Sequence, residues 1–423
     1  MNLAEHVLRN RYPGRIALIC GDERVSWEEL ATRVARAAGA LRSHGVRPGE
    51  QVLFVMRDTP GFAAAWLGAV HAGAIAVALN SKLTEADYRH ILADSGAQVA
   101  VVDQQFTTAR EAFGKICIEL EPGRPAPPFE ADPDAPALCL YSSGTTGRPK
   151  GILHAHRAAL SLGEAFRMLG VGEGDAVFTT SKFFFAYGLE HALLAPLAMG
   201  MTSILSADWP DADAVIGIVE RHRPKAMLSV PTIYRRLLAE PEERLAPLRE
   251  VRHFVAGGER LSPQLVQQWR SAVDGELLNL YGMSEGFCAC IMTPPGTSDG
   301  LRTGKPFPIA EVRLVDGDGT EPAPGEPGVL WLRHPAQARG YANLPAETRS
   351  QFRDGWFCSR DLFLRDAQGF YIHQGRTDEL VKVAGQWVWP AELEEAALAA
   401  SAVAEAACVP VPDGEGLQRL ALF

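Results

Sequence analysis

Tyr141–Gly151, YSSGTTGRPKG, is the stretch on which the fold turns. Its serines, threonines and glycines suit neither a stable helix nor a long strand. Glycine gives the backbone freedom for a tight loop, and hydroxyls and backbone N–H groups can line a concave anion site. Lys150 adds a mobile point charge, so the chemistry is that of phosphate handling. A Walker-type loop needs a glycine-lysine pair followed by Ser or Thr, whereas Lys150 stands between Pro149 and Gly151. A solvated turn is the plain alternative for such a cluster.

Working outward, Leu138-Cys139-Leu140 reads as a strand that ends in this loop, which is where open α/β sheets hold nucleotides. Upstream, Ser26 and Glu29 form the capping box of an amphipathic helix closed at Gly45. Gln51–Met56, Ala74–Leu79 and Gln98–Val102 read as buried strands, with helices over 63–72 and from a cap at Thr84. The proline-dense run Glu119–Pro136 is an extended connector. Downstream, the pattern predicts a helix over 156–169 and a strand over 176–181. Helices over 209–223 and 231–238 follow, separated by a strand at 225–230. Alternating strands and helices imply parallel pairing, hence an α/β architecture. Beyond about Thr303, short alternating runs between Asp-Gly and Pro-Gly turns argue for an antiparallel β unit.

A chain of 423 residues is too long for one core and should divide into subdomains. Its net charge of -10 gives no general basic footprint, so neither nucleic acid nor an anionic membrane is an expected partner. Seven scattered cysteines form no paired CxxC sets, which fits a reducing compartment. The N-terminus carries charges where a signal peptide needs an apolar core, and no apolar run reaches bilayer length. A cytoplasmic location is the expectation.

YSSGTTGRPKG closely resembles the signature loop of the acyl-adenylate-forming enzymes, which include acyl-CoA synthetases, peptide-synthetase adenylation domains and luciferases. Three further strings agree in order with that resemblance: NLYGMSE at Asn279–Glu285, GWFCSRD at Gly355–Asp361 and QGRTDELVKVAGQWVWPAELEE at Gln374–Glu395. The resemblance implies two α/β sheet layers with a small β-barrel-like subdomain, over about 1–302 and 303–377, then a hinge and incomplete C-terminal domain over 378–423. It implies ATP contacts from Ser142, Ser143, Gly144, Thr145, Thr146, Gly147 and Lys150, and from Gly258, Glu259 and Arg260 after a strand at 251–255. Asn279, Leu280, Tyr281, Gly282, Met283 and Ser284 would border the adenine and phosphates. Glu285 would hold Mg²⁺, and Thr145 and Lys150 would join it in catalysis. Asp361 would accept from both ribose hydroxyls and Arg376 would contact ribose and phosphate. Asp378 would be the hinge, and Gly385 would flank the tunnel for coenzyme A. Ser284 replaces the family's usual threonine, and Ser359-Arg360 replaces its Thr-Gly, which puts the loop geometry before Asp361 in question.

SKFFFAYGL, from Ser181, is most similar to the benzoate- and anthranilate-CoA ligase types. By that resemblance Ala186, Tyr187, Gly188, Gly257, Tyr281, Gly282 and Cys288 would wall a pocket for a small aromatic acid. Cys288 stands where those enzymes carry a histidine; it is either part of the wall or an ordinary buried cysteine. The implied reaction is ATP-dependent activation of the acid, then transfer to coenzyme A. An acyl carrier protein as acceptor and non-catalytic acyl or nucleotide binding are the alternatives, and a homodimer is one assembly the sequence allows. Lys382 is the last lysine, so the family's C-terminal adenylation lysine has no match, and truncation is the expectation.

Overall fold

Apolar runs that do not alternate become strands buried on both faces, as parallel strands between helices must. Ile75–Ala78, Val99–Val102 and Ala226–Ser229 bury every residue. The computed structural model describes residues 1–423 apart from 10, 11, 13, 144–147, 379, 380, 384, 385, 399, 401, 402, 404, 405 and 413–417. Gly144, Thr145, Thr146, Gly147 and Gly385 therefore lie outside the described residues.

Among the described residues, one seven-stranded sheet runs Gly340–Tyr341, Pro149–Ala155, Pro136–Ser143, Ile75–Ala78, Gln51–Val55, Val99–Val102, Cys117–Ile118. A nine-stranded sheet runs Lys305–Pro306, Ala289–Met292, Leu277–Gly282, His253–Gly257, Ala226–Ser229, Ala176–Thr179, Thr202–Leu205, Ile16–Cys20, Glu23–Ser26. The largest apolar cluster joins Phe54 and Leu138 of the first sheet to Leu228 and Leu280 of the second, through Leu30, Phe62 and Trp66 on helices Trp27–Ser43 and Pro60–His71. Trp269, Tyr234 and Phe254 make a second core on helices and a strand of the nine-stranded sheet. An antiparallel five-stranded sheet, Glu311–Val315, Gly328–Arg333, Trp356–Arg365, Phe352–Arg353 and Tyr371–Arg376, forms the smaller layer. The expected mixed α/β layers with a β unit are present, and no helix among the described residues is long and apolar enough to cross a membrane.

Several elements differ from the sequence reading. Both described ends of the 141–151 stretch are strand and not loop, because Ser142 and Ser143 pair with Lys150 and Pro149 in a β-hairpin. The returning strand Pro149–Ala155 was hidden by its Pro-Lys-Gly opening, which reads as a turn. The expected helix over 156–169 is a 3₁₀ segment, His156–Ser161, and a short helix, Glu164–Leu169, broken where Gly163 takes φ +86°. Strand His253–Gly257 runs two residues past its expected end and takes Ala256 and Gly257 out of the turn. Ser26 does cap its helix by accepting from Glu29 N, but the Glu29 carboxylate turns to Arg33, whereas a reciprocal capping box forms at Thr84 and Asp87. The strands Ile16–Cys20 and Glu23–Ser26 were not anticipated. The helix from Pro390 to Leu398 lies between two hairpins, Val381–Val383 with Gln386–Val388 and Cys408–Pro412 with Gln418–Leu422.

Close approach of backbones fixes one glycine between the layers. Gly304 has φ +137° and a Cβ there would stand 2.0 Å from the Met292 carbonyl. A Gly304→Ala variant is expected to lose about 3 kcal/mol or more by urea denaturation. Gly296→Ala, at φ +83° with nothing within 4 Å, should lose about 1 kcal/mol. Equal losses would contradict the packing argument.

Candidate active site

The hairpin is held from both sides. Tyr141 donates its hydroxyl to Asp94 at 2.7 Å, and Asn343 Nδ2 donates to the same carboxylate at 3.0 Å. On the returning strand, Lys150 Nζ lies 2.6 Å from Glu347 on helix Pro345–Gln351, with 13% of its side chain exposed. Four residues on, the buried ring of His154 places Nε2 2.9 Å from the Ser284 carbonyl and Nδ1 3.0 Å from that of Ala336. His154 thus ties the glycine-rich hairpin directly to the NLYGMSE string. Burial pulls its pKa down to about 4 against the two carbonyls that favour the charged ring. Next to it Tyr341, paired with the same strand at Ile152, donates to Glu285 Oε1 at 2.8 Å. Glu285 is therefore oriented by the hairpin's own neighbour strand.

On the other side of NLYGMSE, the Tyr281 hydroxyl donates to Asp361 Oδ2 at 2.6 Å. Burial first, and then the Asp361 carboxylate, push that phenol well above its ordinary pKa, so it stays a donor. Asp361 Oδ1 faces His373 Nε2 at 3.4 Å and Arg376 Nη1 at 3.7 Å across the strand pair in which Asp361 and Arg376 are directly opposite. Arg376 also grips Asp378 through Nε and Nη2 at 2.9 and 3.1 Å, which holds the Asp378 carboxyl below the usual range. The site's ribose, phosphate and hinge candidates are one charged chain.

The residues before Asp361 answer the question the sequence raised. Five residues, Cys358 to Leu362, lie opposite three, Val329 to Trp331, so the strand bulges. Arg360 sits in the bulge at φ +64°, a conformation glycine takes without cost. The bend survives although the glycine does not. Ser359 stabilises it by accepting from Asp361 N at 3.0 Å and donating to Leu330 O at 2.7 Å.

The residues expected to wall the acid pocket gather beside this chain. Tyr187 donates to the Ser229 carbonyl at 3.3 Å, and a Cβ on Gly257 would stand 3.3 Å from its ring and 3.0 Å from Leu280 O. Gly257 thus lets the flat ring lie against the strand. Gly188 serves packing, since a Cβ there would meet Lys182 O at 2.1 Å. Ala186 lies at the start of the same helical segment, while Gly282 is exposed and Met283 half-buried at the strand end. Cys288 is 1% exposed, and its thiol touches the buried carboxylate of Glu190. Burial and that carboxylate push the thiol well up, so it is a hydrogen-bonded interior group and no nucleophile. Glu259 is turned to the first turn of helix Pro231–Leu238, where it accepts from Thr232 N and Oγ1 at 3.0 and 2.8 Å. Gly258 makes the turn at φ +83°, and Arg260 follows it. Asn279 is placed by backbone bonds with Thr293.

Sequence reasoning missed His154, Tyr341, Glu347, His373 and Glu190. Each reads as an ordinary strand or helix residue, and what marks it is a partner more than nine residues away. Among the described residues no three His, Cys, Asp or Glu side chains cluster to hold a metal ion. A cleft of about 370 Å³ is lined by Arg157, Arg333, His334 and Gln337.

Two α/β sheets with a β unit, and a glycine-rich hairpin tied to a tyrosine-carboxylate chain, define the adenylate-forming enzyme fold. The chain belongs to the AMP-binding enzyme family, whose model matches residues 4–342. It is 39% identical to a 3-hydroxybenzoate–CoA/4-hydroxybenzoate–CoA ligase of Thauera aromatica, over 96% of this chain and 83% of that protein. A benzoate–CoA ligase of Thauera aromatica is 35% identical over 94% of this chain and 80% of that protein. Among solved structures, a benzoate CoA ligase from Burkholderia xenovorans LB400 superposes with TM-score 0.91 at 32% identity, covering 100% of this chain and 88% of that one. An anthranilate CoA ligase solved with anthranoyl-AMP gives 0.91 at 29%, covering 100% and 86%.

Two outcomes test this geometry. Replacing Arg360 by glycine should raise stability by about 0.5–1 kcal/mol, because the left-handed cost disappears while the exposed 3.9 Å contact to Asp378 contributes little. A loss of stability would contradict the bulge assignment. His154 titrates lower folded than unfolded, so protons favour the unfolded chain between 6.5 and about 4. Stability should fall as pH drops through that window, and His154→Gln should weaken the dependence in denaturation midpoints measured from pH 7 to pH 5.

Proposed function

We propose that this chain activates an aromatic carboxylic acid with ATP and transfers it to coenzyme A. The carboxylate oxygen attacks the α-phosphorus, the bond to the bridging oxygen breaks, and pyrophosphate leaves with the electron pair. The coenzyme A thiolate then attacks the carbonyl carbon of the aryl-AMP and AMP departs, which leaves an aryl thioester. The protein's work is positioning and charge neutralisation, with no covalent step of its own.

The observation that carries the reading is the 2.6 Å bond between Tyr281 and Asp361, which joins two strings 80 residues apart beside the hairpin. Asp361 would take the ribose hydroxyls, with Arg376 opposite it balancing charge. Tyr281, edge-on to Phe363 at 4.9 Å, would offer a held ring to adenine. Ser142, Ser143 and Lys150 would face the phosphates, with Gly144–Gly147 between them in the chain. Among the described residues Glu285 belongs to no cluster of three metal-ligating side chains, which fits Mg²⁺ held chiefly by the triphosphate and by one protein carboxylate. The bound ion would neutralise phosphate charge there. The names of the similar proteins above, CoA ligases for benzoate, hydroxybenzoate and anthranilate, support an aromatic acid and coenzyme A.

The Lys150–Glu347 pair gives the test. An incoming triphosphate must draw Lys150 from Glu347. Lys150→Ala should weaken ATP binding about tenfold or more by calorimetry, and Glu347→Gln should tighten it several-fold. Unchanged affinity in both would contradict the phosphate role. Thioester formed with a carrier protein and none with coenzyme A would overturn the acceptor.

A further inference from the structure

Glu190 is a carboxylate where burial is costly. It is 2% exposed, and among the described residues no lysine or arginine comes within 4.0 Å of it. Its neighbour His191 approaches to 3.7 Å, but His191 Nδ1 donates to Tyr187 O at 2.9 Å. What reaches the carboxylate is Ala289 N at 3.2 Å, Gly163 N at 3.5 Å and the Cys288 thiol. A carboxylate accepts about four bonds, so capacity remains, and an under-served buried carboxylate favours any donor that can reach it.

Its position says what that donor is. Glu190 lies in the π-helical turn Leu189–Leu194 that continues the short helix Ala186–Gly188, and its neighbour His191 bonds back to Tyr187 O. Cys288 is brought beside Glu190 by the strand Ala289–Met292, whose first N–H, that of Ala289, donates to the carboxylate at 3.2 Å. Tyr187 and Cys288, both expected to border the acid's ring, therefore flank this one carboxylate. Resting on the proposed aryl-acid site, we infer that Glu190 is a specificity-determining acceptor at the ring end of the pocket, selecting benzoates that carry a ring hydrogen-bond donor, hydroxyl or amino, over unsubstituted benzoate. Cys288 is a positioning residue that holds the carboxylate toward the ring.

The test uses the whole chain and stable sulfamoyl-adenosine analogues bearing benzoyl, 3-hydroxybenzoyl, 4-hydroxybenzoyl, 3-methoxybenzoyl and 2-aminobenzoyl groups, titrated by calorimetry. At least one donor-bearing analogue should bind about tenfold or more tightly than benzoyl and than 3-methoxybenzoyl, which cannot donate. The hydroxyl isomers and the amino analogue show which donor and position Glu190 reads. In Glu190→Gln that advantage should shrink about tenfold while benzoyl affinity holds. Equal binding of all analogues by the wild type, or an equal loss for all in Glu190→Gln, would overturn the inference and leave the adenylate site standing. Should Glu190→Gln fail to fold by circular dichroism, the wild-type hydroxyl-to-methoxy ratio decides alone. Binding of none would overturn the site itself.

Discussion

His154 stands in the returning strand of the hairpin with its two ring nitrogens 2.9 and 3.0 Å from the carbonyls of Ser284 and Ala336. A neutral imidazole has one N–H, so it can donate to one of them while the other faces a lone pair. Burial still keeps the ring neutral. Three parts of the chain, the hairpin, the NLYGMSE string and the segment leading to the Tyr341 strand, are registered by this side chain. Move it and Glu285 and Lys150 lose their common frame.

The charges follow from that frame. Asp361, 6% exposed, would be costly alone, and Tyr281, His373 and Arg376 surround it. Arg376 passes the connection to Asp378, so the residues expected to recognise ribose and to form the hinge share one guanidinium. Lys150 rests on Glu347. Lys150, Asp361 and Arg376, expected to meet the nucleotide, already have charged partners within the protein, so binding would become an exchange of partners.

Much of this was legible in sequence, for identifiable reasons. Loops that handle phosphate need glycine, hydroxyl and lysine at fixed offsets, and such strings survive reading one residue at a time. Buried parallel strands such as Val99–Val102 announce themselves by unbroken apolar runs. What stayed hidden depends on distant partners. The Pro149–Ala155 strand opens with turn residues and becomes a strand because Pro136–Ser143 pairs with it. Arg360 gave no sign that it would accept a left-handed backbone, which the surrounding ladder imposes. Glu190, set in the apolar run LEHALLAP, reads as a solvent-facing helix residue; its burial is a property of what packs over it. Cys288 was read both as pocket wall and as an ordinary buried cysteine, and it is buried.

The central claim is that the hairpin, Tyr281, Asp361 and Tyr187 together enclose one aryl-adenylate. A crystal structure of the whole chain with a benzoyl sulfamoyl-adenosine tests it most directly. The account predicts the ribose hydroxyls within hydrogen-bond distance of Asp361, the adenine against Tyr281 and the benzoyl ring between Tyr187 and Gly257. A ligand seated instead in the cleft lined by Arg157, His334 and Gln337, with Asp361 still bonded to Tyr281 alone, would contradict it.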